Sequence, residues 1–189
     1  MKLLFFRKVL NILLVTNGMI LLAGAMLGPI YALFVEEVGG DLLDASLAGV
    51  VFAIAAGVTT LISGRFTDKV KNRELIVVLG YIIMGVGYIL YTKVNSVLFL
   101  LVVQMVIGLG EAVYAPAFDV VYSTHLEGRK TGKQWGVLES LYYFTAAGGA
   151  LIGGLIVTRF GFKTLFVIMS VLCFASALYV YRLPRKKVD

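Results

Sequence analysis

Glu111 is the residue on which a chemical reading of this chain turns. It lies inside a long apolar run, Val97–Tyr122, where a charge at mid-bilayer depth costs on the order of 3 kcal/mol. Gln104 precedes it by seven residues and Tyr114 follows by three, so all three share one face of a helix. A carboxyl group beside an amide and a phenol suits proton exchange or the binding of a cation. It equally suits a plainer role, a neutral glutamic acid hydrogen-bonded between packed helices. Asn17, in another apolar run, has the same two readings: it lines a cavity or bonds a neighbouring helix. Asp119 and Glu139 lie closer to basic loops, where structural ion pairs are expected. Arg73 or Lys69 is the expected partner of Asp119, as part of a cytoplasmic gate.

Other chemistries lack their residues. His125 is the single histidine and Cys173 the single cysteine, so neither a disulfide framework nor a metal site can be built from these types. No nucleophile–base pair and no phosphate-cradling glycine loop occurs. The chain is not expected to be an enzyme, and no metal or other cofactor is expected. With 60% hydrophobic and 15% charged residues, a soluble domain could not cover its surface with polar groups. The net charge of +6 resides in short clusters between apolar runs. Such clusters suit anionic lipid headgroups, and nucleic acid is not an expected partner.

The elements that position these residues follow from bilayer thickness, since about 20 apolar residues cross as a helix. Six runs qualify: Val9–Val35, Ala45–Ser63, Leu75–Tyr91, Val97–Tyr122, Trp135–Thr158 and Thr164–Tyr181. The first is too long for the apolar region of a signal peptide and is expected to be retained. Trp135 and several tyrosines near span ends suit aromatic belts. Pro29 and Pro116 are expected to kink the later parts of the first and fourth helices. The expectation is an all-α membrane protein, one six-helix domain over residues 1–189.

Basic residues set the orientation. Lys2, Arg7 and Lys8 precede the first span; Arg65, Lys69, Lys71 and Arg73 follow the second. Arg129, Lys130 and Lys133 follow the fourth, and Arg182, Arg185, Lys186 and Lys187 follow the sixth. Of the 17 basic residues only Lys93, Arg159 and Lys163 fall elsewhere, and the first loop on that side is acidic at Glu36, Glu37, Asp41 and Asp44. Both termini are therefore expected in the cytoplasm.

The chain also resembles itself. At an offset of 87, Pro29-Ile30-Tyr31 matches Pro116-Ala117-Phe118 and Gly49-Val50 matches Gly136-Val137. At an offset of 90, Gly64 pairs with Gly154, Lys69 with Arg159, Arg73 with Lys163 and Tyr91 with Tyr181. Two units, approximately 1–93 and 94–189, are expected. With three helices each, they must be inverted relative to one another in the membrane.

The loop after the second span reads Gly64-Arg65-Phe66-Thr67-Asp68-Lys69-Val70-Lys71-Asn72-Arg73. It resembles the signature loop between helices 2 and 3 of the major facilitator superfamily, in which Gly, three residues, Asp and a basic residue lead into a basic cluster. Gly64 leaves room for another helix, Asp68 can accept from N–H groups at a helix start, and Lys69 and Arg73 can pair with carboxylates or phosphates. Lys71 stands where the family usually has Gly, and Asn72 where it has a basic residue. Gly108-Leu109-Gly110 is similar to the family's glycine-rich helix 4, with Gln104 in place of a typical Arg. Gly136, Gly149, Ala150, Gly153 and Gly154 are similar to the helix 5 signature of its antiporters, with Ala150 in place of Pro and Thr145 in place of Gly. Gly149 and Gly153 also form a small-residue face for helix packing.

The resemblance covers the whole chain and implies one six-helix half of a twelve-helix architecture. It implies a secondary transporter in which a second copy, or another half-transporter, completes an alternating-access unit for a small solute. The proton or cation would couple at Glu111; Asn17, Gln104, Glu111 and Tyr114 would line the cavity. Gly64, Asp68, Lys69, Arg73 and Asp119 would form the gate, and Gly64, Gly136, Gly149, Gly153 and Gly154 the packing or dimer surfaces. The alternative is a membrane subunit that keeps the fold and scaffolds a partner without transporting.

Topology is directly testable. In a Cys173→Ser background, Lys71→Cys and Lys130→Cys should be labelled by an impermeant thiol reagent only from the cytoplasmic side, and Asp41→Cys only from outside. External labelling of Lys71→Cys would reverse the orientation.

Overall fold

The computed structural model describes residues 2–126, 128 and 130–183. Arg129, Arg185, Lys186 and Lys187 of the basic clusters lie outside these residues. The described chain is all helical: α1 (Lys2–Leu27), a 3-10 turn (Gly28–Ile30), α2 (Tyr31–Glu37), α3 (Leu42–Lys69), α4 (Arg73–Tyr91), α5 (Val97–Ser123) and α6 (Thr131–Tyr181). Five stretches are long and apolar enough to cross a membrane, the first running through the 3-10 turn from Val9 to Glu37.

Local chemistry fixes the helix ends. Asp41 and Asp44 form a reciprocal capping box at the start of α3, each carboxylate accepting from the other's backbone N–H at 2.9 and 3.0 Å. Gly39, at φ +85°, makes the turn before it, a conformation that costs a Cβ-bearing residue more. Ser96 caps α5 by accepting from the Phe99 N–H. Pro29 sits in the 3-10 turn and divides the first span, whereas Pro116 lies within an uninterrupted α5.

The fifth and sixth runs read as separate spans with a break at 159–163, and the 51 residues of α6 that cover both are interrupted inside that stretch. Straight, that helix would measure about 75 Å, far beyond the roughly 30 Å of a hydrocarbon core. It is not straight. Gly161 has φ +76° and ψ 170°, and this single residue divides α6 into limbs 131–160 and 162–181.

The limbs run in opposite directions along the first span, Val9–Glu37. In the first, Leu141 lies beside Gly18, Gly149 beside Ala25 and Gly153 beside Met26, a parallel pairing. In the second, Phe162 and Phe166 pack on Phe34 while the Ser176 hydroxyl donates to the Thr16 carbonyl at 3.3 Å, an antiparallel one. The other pairs are equally directional. α3 runs parallel to α5, with Phe52 at Gly108 and Ser63 donating to the Ala112 carbonyl at 2.5 Å. α4 runs antiparallel to α5, with Gly80 at Tyr114 and Gly87 at Ile107. It also runs antiparallel to the second limb of α6, where Ser170 donates to the Gly85 carbonyl at 2.8 Å and Tyr91 stacks on Phe166.

Small residues make these crossings close. A Cβ on Gly149 would lie 2.6 Å from that of Ala25, and one on Gly153 would overlap the Met26 carbonyl. The Gly149–Gly153 face expected at a dimer interface is therefore taken by the chain's own α1. Small residues every fourth position mark close approach but do not specify the neighbour. Gly64, Gly136 and Gly154 have no such neighbour within the chain.

Gly153→Ala should lower the thermal unfolding midpoint of the detergent-solubilised protein, by about 1–3 kcal/mol of overpacking. Gly154→Ala, one position on and unobstructed, should leave it unchanged or raise it through helix propensity. Equal effects of the two substitutions would contradict the packing.

Candidate functional site

α5 carries the polar residues and α1 supplies the space around them. Gln104, Glu111 and Tyr114 lie along one face of α5 as their spacing requires, and Glu111 is exposed on the surface of the bundle. It borders two adjoining hollows. One, of about 470 Å³, is shared with Tyr114, Tyr88, Met84 and Tyr142; the other, of about 300 Å³, with Gln104, Tyr31, Tyr91 and Phe52. Gly24 of α1 and Gly28 of the 3-10 turn line both. No atom would meet a Cβ on Gly28, and one on Gly24 would only touch the Tyr88 hydroxyl at 3.6 Å. The hollows exist because these positions bear no side chain.

The structure thus brings Gln104, Glu111 and Tyr114 around one region, as expected. Asn17 is placed differently. It lies 7% exposed in a neighbouring hollow of about 190 Å³, together with Asp119 and Glu139; Tyr114 and Tyr142 separate that hollow from the one at Glu111.

The expected pairing of Asp119 with Arg73 or Lys69 is not formed among the described residues. The Arg73 guanidinium instead donates through Nε to the Thr67 carbonyl at 3.2 Å, folding back on the end of α3. That contact caps a carbonyl left over at the helix C-terminus, and it holds the α3–α4 turn compact. Asp68 and Lys69 are exposed there.

Several cavity residues escaped the sequence reading. Tyr31, Tyr88, Tyr91 and Tyr142 line the hollows, although tyrosines near span ends suggested an interfacial belt. Tyr91 is 2% exposed and lies in a ring cluster with Phe34, Phe166 and Tyr88. The buried Tyr31 hydroxyl has no hydrogen-bond partner among the described residues, a polar atom of the kind that buried sites normally satisfy. The available signal was spacing: Tyr81 and Tyr88 are seven residues apart, a stripe on one face of α4. Trp135 is also drawn inward. Its ring meets that of Tyr122 edge-on at 5.2 Å, and the Tyr122 hydroxyl donates to the Gln134 carbonyl at 2.6 Å, fastening the end of α5 to the start of α6.

Chemically, the arrangement offers an acid that can hold or release a proton, amide and phenol groups for hydrogen bonds, and apolar walls. A carboxyl at this depth of an apolar helix is costly unless it faces a hollow or a partner.

The family model of the Major Facilitator Superfamily matches residues 13–189. The multidrug resistance protein MdtG of Erwinia billingiae is 24% identical over 94% of this chain and 44% of its own length. An uncharacterized MFS-type transporter of Methanocaldococcus jannaschii, MJ1560, is 24% identical over 88% of this chain and 43% of its own. The proton-coupled antiporter flippase LtaA of Staphylococcus saprophyticus is 28% identical over 68% of this chain and 32% of its own. The chain spans less than half the length of these relatives. With a family match over nearly all its residues and five long apolar helices, this chain belongs to the Major Facilitator Superfamily, as a multi-pass protein of the cell membrane.

Proposed function

We propose that the chain acts as one six-helix half of a secondary transporter, moving a small solute by alternating access together with a second such unit. The observation that carries this reading is Glu111, a carboxylate in the apolar interior of α5 that opens onto adjoining hollows rather than into helix packing. A residue that only glued helices together would be enclosed by them. The names of two relatives, a multidrug resistance protein and a proton-coupled antiporter, favour antiport with Glu111 as the coupling group.

Six spans with cytoplasmic termini accord with the reversal at Gly161 and with the alternating directions of the packed helices. An inverted repeat accords with the pattern of neighbours. Exchanging the first three spans for the last three turns the α1 crossing of the first α6 limb into the crossing of α5 with α3. At the offset of 87, Ala25 corresponds to Ala112 and Ser63 to Ala150, adjacent to Gly149. Those residues are points of contact in the two crossings, Ser63 at Ala112 and Gly149 at Ala25.

A second unit is favoured by what the chain leaves bare. Along α3 only Ala48, Ser63 and Thr67 are buried, while Leu47, Ile54, Leu61 and Phe66 are exposed. Gly64 on α3 and Gly136 on α6 both lack neighbours, so each can admit a helix from another copy. In a two-fold dimer, Gly64 and Asp68 of one copy would meet the α6 start of the other near Gly136, and the contact would occur twice. The inner gate would then form between copies from Gly64, Asp68, Lys69 and Arg73, with Asp119 deeper on α5.

Two outcomes test this. In proteoliposomes, Glu111→Gln should reduce gradient-driven ethidium transport by about a hundredfold or more with an unchanged unfolding midpoint, since the amide keeps the volume and loses the exchangeable proton. Undiminished flux with the same pH dependence would return Glu111 to a structural role. By native mass in mild detergent, the protein should appear at twice its 20.5 kDa, and Gly64→Leu, which disturbs nothing within the chain, should shift it to monomer while Val171→Leu should not. Monomers that transport would end the two-unit reading; a dimer that moves no solute would support a scaffold.

A further inference from the structure

A further hollow, of about 480 Å³, lies at the end of the bundle opposite the Arg73 turn. Three changes of chain direction meet there: the turn after α2, the turn after α4, and the bend at Gly161 that Phe162 follows. Two spans close at Glu37 and Tyr91, so the hollow sits at the depth of lipid headgroups and not of acyl chains. With the hollows at Glu111 it shares one lining residue, Tyr91, a wall that is 2% exposed.

Its floor is aromatic and firmly held. Phe34 meets Tyr91, Phe162 and Phe166 at ring-centroid separations of 5.4, 5.3 and 4.7 Å. The turns at its edge are packed on each other, since a Cβ on Gly40 would lie 2.7 Å from the Val35 side chain and 3.1 Å from that of Val97. Two opposite charges stand above this floor. Glu37 follows Phe34 by three residues, and Lys163 precedes Phe166 by three, so each is one helical turn from rings that touch. Both are exposed and line the hollow, yet they form no ion pair among the described residues. A carboxylate and an ammonium set apart over one apolar floor are complementary to a ligand that carries both charges itself.

We propose that this hollow binds the headgroup of a zwitterionic membrane phospholipid. The lipid ammonium lies against Glu37 and the aromatic floor, and the lipid phosphate accepts from Lys163 and from the Asn95 amide at the rim. Toward mid-membrane, Val86 and Ile89 of α4 and Val167 and Val171 of the second α6 limb are exposed, which offers the acyl chains an apolar track. That track and the depth of the hollow favour a lipid over a water-borne zwitterion. An anionic lipid would satisfy Lys163 but set its charge beside Glu37. The site uses neither Glu111 nor the surfaces at Gly64 and Gly136, so it stands apart from the transport reading.

The test is lipid binding to the full chain in mild detergent, read by native mass spectrometry as lipid is titrated. The probes are phosphatidylethanolamine and phosphatidylglycerol with identical acyl chains, which share the phosphate and differ in the ammonium. The first should bind at least about fivefold more tightly. Glu37→Gln should abolish that preference by weakening the first lipid alone, and Lys163→Gln should weaken both by about fivefold or more. Neither variant should move the unfolding midpoint, because both side chains are exposed. Equal affinity for the two lipids would overturn the proposal, as would an undiminished preference in Glu37→Gln. Displacement of the lipid by an equal concentration of glycerophosphoethanolamine, the headgroup without tails, would overturn the lipid reading in favour of a soluble zwitterion. The readout is binding and not flux, so failure here is distinct from failure of the transport reading.

Discussion

Close approach of helix backbones is the constraint on which the rest of this bundle depends. Lipid tails are as apolar as leucine, so burial of hydrophobic side chains does not draw helices together inside a bilayer. Packing contact and interhelical hydrogen bonds must do it. Here the crossings use one or both. Gly149 and Gly153 admit the α1 backbone, Gly80 and Gly110 bring α4 and α5 together, and Gly108 admits the backbone of α3 at Phe52. Serine hydroxyls at positions 63, 170 and 176 then donate across to backbone carbonyls of α5, α4 and α1. Those carbonyls already accept within their own helices and use a second lone pair for the serine.

The same residue type builds the cavity by the opposite route. Gly24 and Gly28 leave open space, and hollows form where side chains would otherwise fill the gap between α1, α4 and α5. A glycine in this chain therefore joins helices or separates them according to what stands opposite. That explains how polar groups such as Glu111 and Gln104 remain reachable in a bundle whose crossings are otherwise tight. Around them, tyrosines combine an apolar body with a polar tip.

Much of this was legible in the sequence, where physics imposes a pattern on one segment at a time. Span lengths follow from bilayer thickness, and the shared face of Gln104, Glu111 and Tyr114 follows from helical periodicity. The misreadings concern relations between segments. Gly149 and Gly153 announce a close neighbour without naming it, and the neighbour is α1 of the same chain. Arg73 had several available acceptors, and the nearest, the Thr67 carbonyl, prevailed over the more distant Asp119. Arg159 and Lys163 flank the place where the chain turns, and the turn itself is made at Gly161.

That turn has a mechanical consequence. A loop of five or six residues would let its two helices slide, tilt and rotate separately. A single glycine leaves a pivot: the limbs of α6 can change the angle between them but cannot shift lengthwise without carrying each other. α1 lies against both limbs and α4 against the second, so three of the bundle's elements are tied at one joint. The places where this unit can bend are therefore few: Gly161 and the 3-10 turn around Pro29.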